Sequence, residues 1–102
     1  MAMLRILSFV THPEILPVLD RVVNKHEHWT GERAPDLPTA LTKVAEGNFD
    51  VVLLGSGTGV EERQRLQELI AERGLQTVLI DHFGGGSGLL YAEVMEAVGR
   101  VD

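Results

Sequence analysis

The chain has 102 residues, which is enough for one domain with a modest hydrophobic core. Hydrophobic residues make up 44% and charged residues 24%, values typical of a globular protein and not of a disordered one. The net charge of -6 and the scattered Lys and Arg residues argue against a nucleic-acid partner, since phosphate neutralisation needs clustered basic side chains. Without cysteine, disulfides, thiolate metal sites and a cysteine nucleophile are excluded.

The chain carries no pattern of a membrane protein. No apolar run approaches the roughly 20 residues of a membrane span, and the N-terminus lacks the ordered regions of a secretory signal peptide. We therefore expect a cytoplasmic protein with no membrane association. We also expect residues 1–102 to form a single α/β domain.

The first half of the chain predicts two strands and two helices. Residues 4–10 form an apolar strand, and an amphipathic helix follows. That helix begins near Ile15, because Pro17 would not suit a helix already one turn old. Residues 26–30 are polar enough for a short second strand at a sheet edge. Asp36 then caps a second helix that stops at Gly47.

The second half continues the alternation. Four consecutive apolar residues, Val51–Leu54, predict a third strand buried on both faces, as in a parallel sheet. A glycine loop at 55–59 leads into a charged helix at 61–73, which Gly74 ends. Residues 76–80 form the fourth strand, and a last helix follows a second glycine loop.

The strict β-α alternation predicts a parallel sheet with right-handed crossovers. If the first strand is central and the polar second strand lies at an edge, the strand order is 2-1-3-4. The second and third helices then share one face. The last helix folds back beside the first on the other face, which gives an open four-stranded sheet with two helices on each side.

The strand residues 6–10 leading to Pro13 and Glu14, the helical pair Ala40-Leu41 and the strand at 49–54 resemble the receiver domain of bacterial response regulators. The resemblance implies a flavodoxin-like fold and a regulatory role. The family's chemistry is not carried over, because the acidic pair falls at Val10 and Thr11 and the phospho-accepting aspartate at Gly55. The final strand with its lysine is also missing. We therefore expect a non-catalytic regulatory or binding module.

A second, local resemblance points to phosphotransfer. Thr11-His12 after the first strand is similar to the phosphohistidine site of mannose-type phosphotransferase IIA domains. The run Asp81-His82-Phe83-Gly84-Gly85 followed by Ser87 resembles their Asp-x-Phe-Gly-Gly-Ser loop. The resemblance implies that His12 carries a phosphoryl group with help from Asp81. This chain departs from the pattern at Pro13 and in its extra strand and helix between the two motifs.

The carboxyl ends of parallel strands meet at one edge of a sheet, where open α/β folds bind ligands. Both glycine loops should lie there, where backbone N–H groups could hold a small anion. Glu61 and Glu62 follow the first loop and would repel an anion, so the second loop is the better candidate. The candidate ligand contacts are Thr11, Ser56, Gly57, Thr58, His82, Gly84, Gly85, Gly86 and Ser87.

Three other features have structural explanations. His26 and His28 would share one face of a strand, but nothing nearby completes a metal site, so an exposed polar edge is expected. Trp29 is interpreted as a core or interface aromatic. Tyr91 and Met95 form a strip on the last helix that either packs in the core or pairs with a second copy. We expect no cofactor or metal, and a homodimer or a protein partner.

Overall fold

A computed structural model describes residues 3–55, 57–81 and 87–98, with the backbone alone for residues 87–91. The elements in chain order are β1 (Leu4–Phe9), α1 (Ile15–Asn24), β2 (Trp29–Ala34), α2 (Leu37–Ala45), β3 (Val51–Leu54), α3 (Val60–Arg73), β4 (Val78–Asp81) and α4 (Ser87–Ala97). The four strands form one parallel sheet in the order β2-β1-β3-β4. The predicted α/β class and strand order are confirmed.

Each face of the sheet has its own hydrophobic core. On one face α1 and α4 cover a cluster in which Leu19, Val23 and Val94 meet Ile6 of β1. On the other face the cluster joins α2 and α3 to the opposite sides of the same strands. The return of α4 to the face of α1, predicted from the crossover rule, is therefore confirmed, and the fold is a flavodoxin-like three-layer sandwich.

The strand β3 is the centre of both layers. Val51 and Leu53 face α1 and α4, whereas Val52 and Leu54 face α2 and α3. All four side chains are buried, since successive residues of a strand point to opposite faces and both faces are covered. The unbroken apolar run in the sequence has this physical cause.

The helix α1 begins at Ile15, as predicted. Pro17 lies in its first turn, where the backbone N–H groups have no carbonyl partner within the helix and a missing donor costs little. The helix buries Leu16, Leu19 and Val23 against the sheet. It leaves Ile15 and Val18 exposed.

The predicted position of the second strand is wrong. The structure places β2 at Trp29–Ala34, three residues later than its predicted start at His26. The chain instead continues turning after α1, because the N–H groups of Lys25 and His26 donate to the carbonyls of Val22 and Val23. His26 and His28 therefore lie in a turn and do not share a strand face. The predicted edge position of this strand is confirmed.

The polar residues of β2 are held by specific partners. Asn24 Oδ1 accepts from the N–H of Gly31 at 2.9 Å, and Arg33 Nε donates to Asp20 Oδ2 at 2.8 Å. A Cβ atom at Gly31 would lie 2.9 Å from Asn24 Nδ2, so only glycine fits under α1 here. Lys43 donates to Glu32 on the other face at 2.9 Å. This edge strand is thus covered by side chains of its own chain.

The remaining boundaries follow local hydrogen bonds. Asp36 caps α2 by accepting from the Thr39 N–H at 2.8 Å, and Gly74 ends α3 with a φ of 63°. The strand β4 starts at Val78, two residues later than predicted, where its N–H donates to the Asp50 carbonyl at 3.0 Å. The Thr77 hydroxyl donates to the Phe49 carbonyl at 2.7 Å and so lies before the ladder.

Trp29 and Met95, for which either core packing or an interface was expected, both pack against the core of their own chain. Trp29 is 4% exposed and lies in the core beneath α1. Met95 packs against the same core from α4. The side chain of Tyr91, its predicted companion, lies outside the described residues.

Candidate functional site

The carboxyl edge of the sheet brings the loops after β1 and β3 into contact. In the strand register, Phe9 of β1 is level with Leu54 of β3 and Asp81 of β4. Just beyond this level the backbone of Gly57 lies against Thr11: a Cβ atom at Gly57 would be 1.7 Å from Thr11 Oγ1. Gly57 also has a φ of 88°, in the region that favours glycine. The two loops therefore form one surface only because residue 57 has no side chain.

The first glycine loop is closed by its own hydrogen bonds. The N–H and the hydroxyl of Thr58 both donate to the Gly55 carbonyl, at 3.2 and 2.6 Å. Gly55 is buried, and its N–H donates to the Phe9 carbonyl at 3.1 Å. The candidate contact Ser56 lies outside the described residues. The loop is thus a compact turn that extends the β1–β3 pairing by one residue.

A carboxylate of the protein already lies at the N-terminus of α3. Glu62 Oε1 accepts from the N–H of Gly59 at 2.7 Å, which satisfies one of the free donors of the first turn. Glu61 is exposed one residue before it. An anion approaching this helix end would have to displace Glu62 and overcome the repulsion of both carboxylates.

His12 is exposed and takes part in the start of α1. Its Nδ1 accepts from the N–H of Glu14 at 3.2 Å, and its carbonyl accepts from the N–H groups of Ile15 and Leu16. These contacts satisfy donors that precede or begin the helix and so hold the loop after β1 in place. All of these His12 contacts are with the next few residues of the chain, so a structural role in the loop before α1 accounts for them.

Asp81 does not pair with His12. Its Oδ2 lies 2.6 Å from Nη1 of Arg63 in the first turn of α3, and both side chains are partly exposed. The strand β3 lies between β1 and β4, so about 10 Å separates the two strands that carry His12 and Asp81. Sequence reasoning missed Arg63. The available indication was its position, since a cation in the first turn opposes the helix dipole unless an acid is near.

The rest of the second candidate loop is not described. His82, Gly84, Gly85 and Gly86 lie outside the described residues, and Ser87 begins α4 with its side chain not considered. Within residues 3–55, 57–81 and 87–98, no group of three or more His, Cys, Asp or Glu side chains could hold a metal ion.

The positions that match the receiver family's acidic site are apolar or small. Val10 is fully buried in the core beneath α1, Thr11 is exposed, and Gly55 is buried at the end of β3. A hard cation such as Mg²⁺ needs oxygen ligands, preferably carboxylates, and none of these three side chains supplies one. Gly55 stands where the family has its phospho-accepting aspartate, and it has no side chain that could carry a phosphoryl group.

No family model matches the chain, and no curated protein matches it. The fold and this edge define an α/β protein with a flavodoxin-like three-layer architecture. Among solved structures, the chain is similar to a protein of Burkholderia pseudomallei that is provisionally described as pilus assembly-related, with a TM-score of 0.51. The two are 20% identical, and the match covers 93% of this chain and 72% of the other. At this identity the likeness shows the fold alone. None of the helices in the described part of the chain is long and apolar enough to cross a bilayer.

Proposed function

We propose that this chain is a non-catalytic, receiver-like binding module that recognises a protein partner. The observation that carries the proposal is the pairing of Asp81 with Arg63, at 2.6 Å, on the α3 side of the sheet. The phosphotransfer alternative requires Asp81 to orient His12, because a phosphoryl-carrying histidine relies on neighbouring groups to fix its ring and its charge. Here the carboxylate pairs with Arg63, and His12 Nδ1 accepts from the N–H of Glu14 just before α1.

The carboxyl edge supports the same proposal. Its loops are held by contacts within the chain: Gly57 against Thr11, Thr58 on the Gly55 carbonyl and Glu62 on the Gly59 N–H. A site that accepts or transfers a phosphoryl group needs free donors and compensating positive charge. The charged residues described beside the first glycine loop are Glu61, Glu62, and Arg63 with its partner Asp81. These contacts therefore favour the binding of a protein partner over the binding of a small anion at this edge.

A labelling experiment separates the module from a phosphotransfer protein. The purified chain is incubated with ³²P-labelled acetyl phosphate and, separately, with a phosphohistidine donor protein, and incorporation is counted. We expect none in either case. The matched variants are His12→Ala and Asp81→Asn, both of which change exposed side chains. Label that enters the natural chain and is lost in His12→Ala would establish phosphotransfer instead.

A separate experiment tests whether a small anion binds at the carboxyl edge. Inorganic phosphate is titrated into ¹⁵N-labelled protein while the amide resonances are followed. Saturable shifts confined to Thr11, His12 and residues 57–59 would support an anion at the first loop. Shifts that are small, linear and spread over the surface would remove the ligand from the proposal and leave partner binding alone.

A further inference from the structure

The β2 and β4 edges of the sheet differ in the side chains that flank them. At the β2 edge, Asn24 accepts the Gly31 N–H and charged side chains flank the strand. At the β4 edge, Val78, Leu79 and Ile80 are only half-buried, and the strand contains no Lys or Pro that would block pairing. Natural proteins use such devices to stop a strand from adding to an exposed edge. Of these devices, the described part of β4 has only its short length and the terminal Asp81, which is paired with Arg63.

The backbone of β4 is oriented to accept another strand. Val78 donates its N–H inward to the Asp50 carbonyl, and Val78 is paired with Val51 of β3. Because backbone groups of alternate residues point to opposite sides of a strand, the N–H and carbonyl of Leu79 point to the open side. An antiparallel neighbour can therefore form a hydrogen-bonded pair at Leu79.

The helix α3 has two unlike sides above this edge. The side toward α2 carries Arg65, Leu69 and Glu72, which line a groove with Leu41 of that helix. Glu68 lies between the two sides and lines both surfaces. The side toward β4 is identified by Arg63, which reaches Asp81. A shallow surface runs along it, lined by Val60, Arg63, Gln64, Gln67, Glu68 and Ala71. Val60 at its start is 81% exposed.

We propose that a second copy of this chain docks here, with β4 pairing antiparallel to the partner's β4 about a twofold axis at Leu79. The two sheets then continue as one sheet of eight strands, and α3 packs against the partner's α3. The proposal deepens the proposed function by naming the partner of the binding module. It does not depend on whether the carboxyl edge holds an anion.

The charges and sizes along α3 select a second copy as the occupant. When two such helices run antiparallel, Val60 can face the partner's Ala71, Arg63 the partner's Glu68, and Gln64 the partner's Gln67. A large exposed residue thus meets a small one, Glu68 of each copy comes beside an arginine that also contacts its own Asp81, and the two central amides meet each other. A surface that is complementary to itself in this way is what a twofold interface requires.

The distance between the two paired β4 strands is compatible with direct packing of the two α3 helices. Strands pair about 4.8 Å apart, and a helix that lies over the β3–β4 groove is set back by about half a strand spacing. The two α3 axes would then lie roughly 10 Å apart, within the usual range for packed helices. Leu79 is two residues below Asp81 on β4, which corresponds to roughly one helical turn below the Arg63 contact, near the middle of α3.

The test is sedimentation velocity over a wide range of protein concentration, on the natural chain and on two double variants. Gln64→Lys with Gln67→Lys places four lysines across the proposed contact of two copies. Both side chains are exposed, so the monomer should keep its fold, which circular dichroism checks. The matched control is Thr42→Lys with Asn48→Lys, which adds the same charge at exposed positions away from β4.

We expect a dimer in the natural chain and in the control. The interface variant should weaken dimerisation by about 100-fold or more, because like charges at an interface cost several kcal/mol. A natural chain that stays monomeric at all concentrations, or that pairs only with another protein, would overturn the proposal. So would a dimer that the interface variant leaves intact. None of these outcomes affects the phosphoryl-labelling result, so the two proposals fail separately.

A cross-linking experiment tests the register. The chain has no cysteine, so a Val60→Cys, Ala71→Cys double variant introduces the only thiols. Oxidation should give a covalent dimer on a denaturing gel, since these two positions face each other across the twofold axis. The control is Val18→Cys, which is exposed on α1 at the opposite face. A dimer that forms in solution but cross-links only through Val18→Cys would refute the α3 interface.

Discussion

Replacing Gly57 by alanine should destabilise the protein through two separable effects. The φ of 88° disfavours any residue with a Cβ atom, at a cost of roughly 1–2 kcal/mol. The added methyl group would also lie 1.7 Å from Thr11 Oγ1 and 3.6 Å from the His12 backbone nitrogen. Displacing the loop after β1 to relieve this overlap costs roughly a further 1–3 kcal/mol. We expect a total loss of roughly 2–5 kcal/mol.

A matched glycine isolates the backbone effect. Gly74 at the end of α3 has a φ of 63°, and nothing lies within 4 Å of a Cβ atom placed there. Gly74→Ala should therefore cost only the conformational term, roughly 1–2 kcal/mol. The difference between the two variants measures the contact of the first glycine loop with Thr11.

Thr11→Ala completes the cycle. Alone it should change the free energy of unfolding by less than about 0.5 kcal/mol, because the side chain is exposed. In the Gly57→Ala background it should recover roughly half of the steric cost, since Oγ1 is removed while Thr11 Cβ stays 3.1 Å from the new methyl. Urea unfolding is followed by the fluorescence of Trp29, the single tryptophan, for the natural chain, the three single variants and the double variant. If Gly57→Ala costs no more than Gly74→Ala, or if Thr11→Ala does not restore stability, the two loops do not meet as described.

Three further substitutions test the polar contacts. Hydrogen bonds and charges from Lys43 and Arg5 lower the pKa of Glu32 below its ordinary value of 4.5. The stabilisation is therefore present above pH 4.5 and is lost as the pH falls through the lower folded-state pKa. Glu32→Gln should be less stable than the natural chain by about 1 kcal/mol at pH 7, and urea unfolding at decreasing pH should show this gap closing. Asp36→Ala should lower the urea midpoint by removing the cap on Thr39, whereas Asp36→Asn keeps an acceptor and should not. Ser8→Ala should leave stability unchanged or raise it by up to about 1 kcal/mol in thermal unfolding, because the buried Ser8 hydroxyl has no hydrogen-bond partner among the described residues.

The failure of the β2 prediction has a physical cause. The polar character of residues 26–30 predicts a strand at a sheet edge, whereas the observed strand, Trp29–Ala34, includes Gly31, Glu32 and Arg33. The structure shows that Glu32 and Arg33 are tolerated in the strand because Arg5, Lys43 and Asp20 pair with them. Those partners come from β1, α2 and α1, so no local pattern could indicate them.

The candidate site was predictable only in part. Strand order predicted that the loop after β1 and the first glycine loop lie at one edge, and the contact of Gly57 with Thr11 places them together. The pairing of Asp81 with Arg63 could not be predicted from spacing, since the two residues are 18 positions apart and belong to different elements, β4 and α3. The alternative role of Asp81 beside His12 rested on a motif, and a motif does not specify which face of a strand its side chain occupies.

The sequence by itself determined the α/β class, the parallel order of the strands and the ends of α2 and α3. These features follow from short-range physics: apolar runs, helix caps and glycines where the backbone needs a positive φ. Only the tertiary structure decided where the charged side chains find partners, and therefore how the β2 edge of the sheet is covered. Ion pairs and edge contacts join residues that are distant in the chain, and their positions depend on the packing of whole elements.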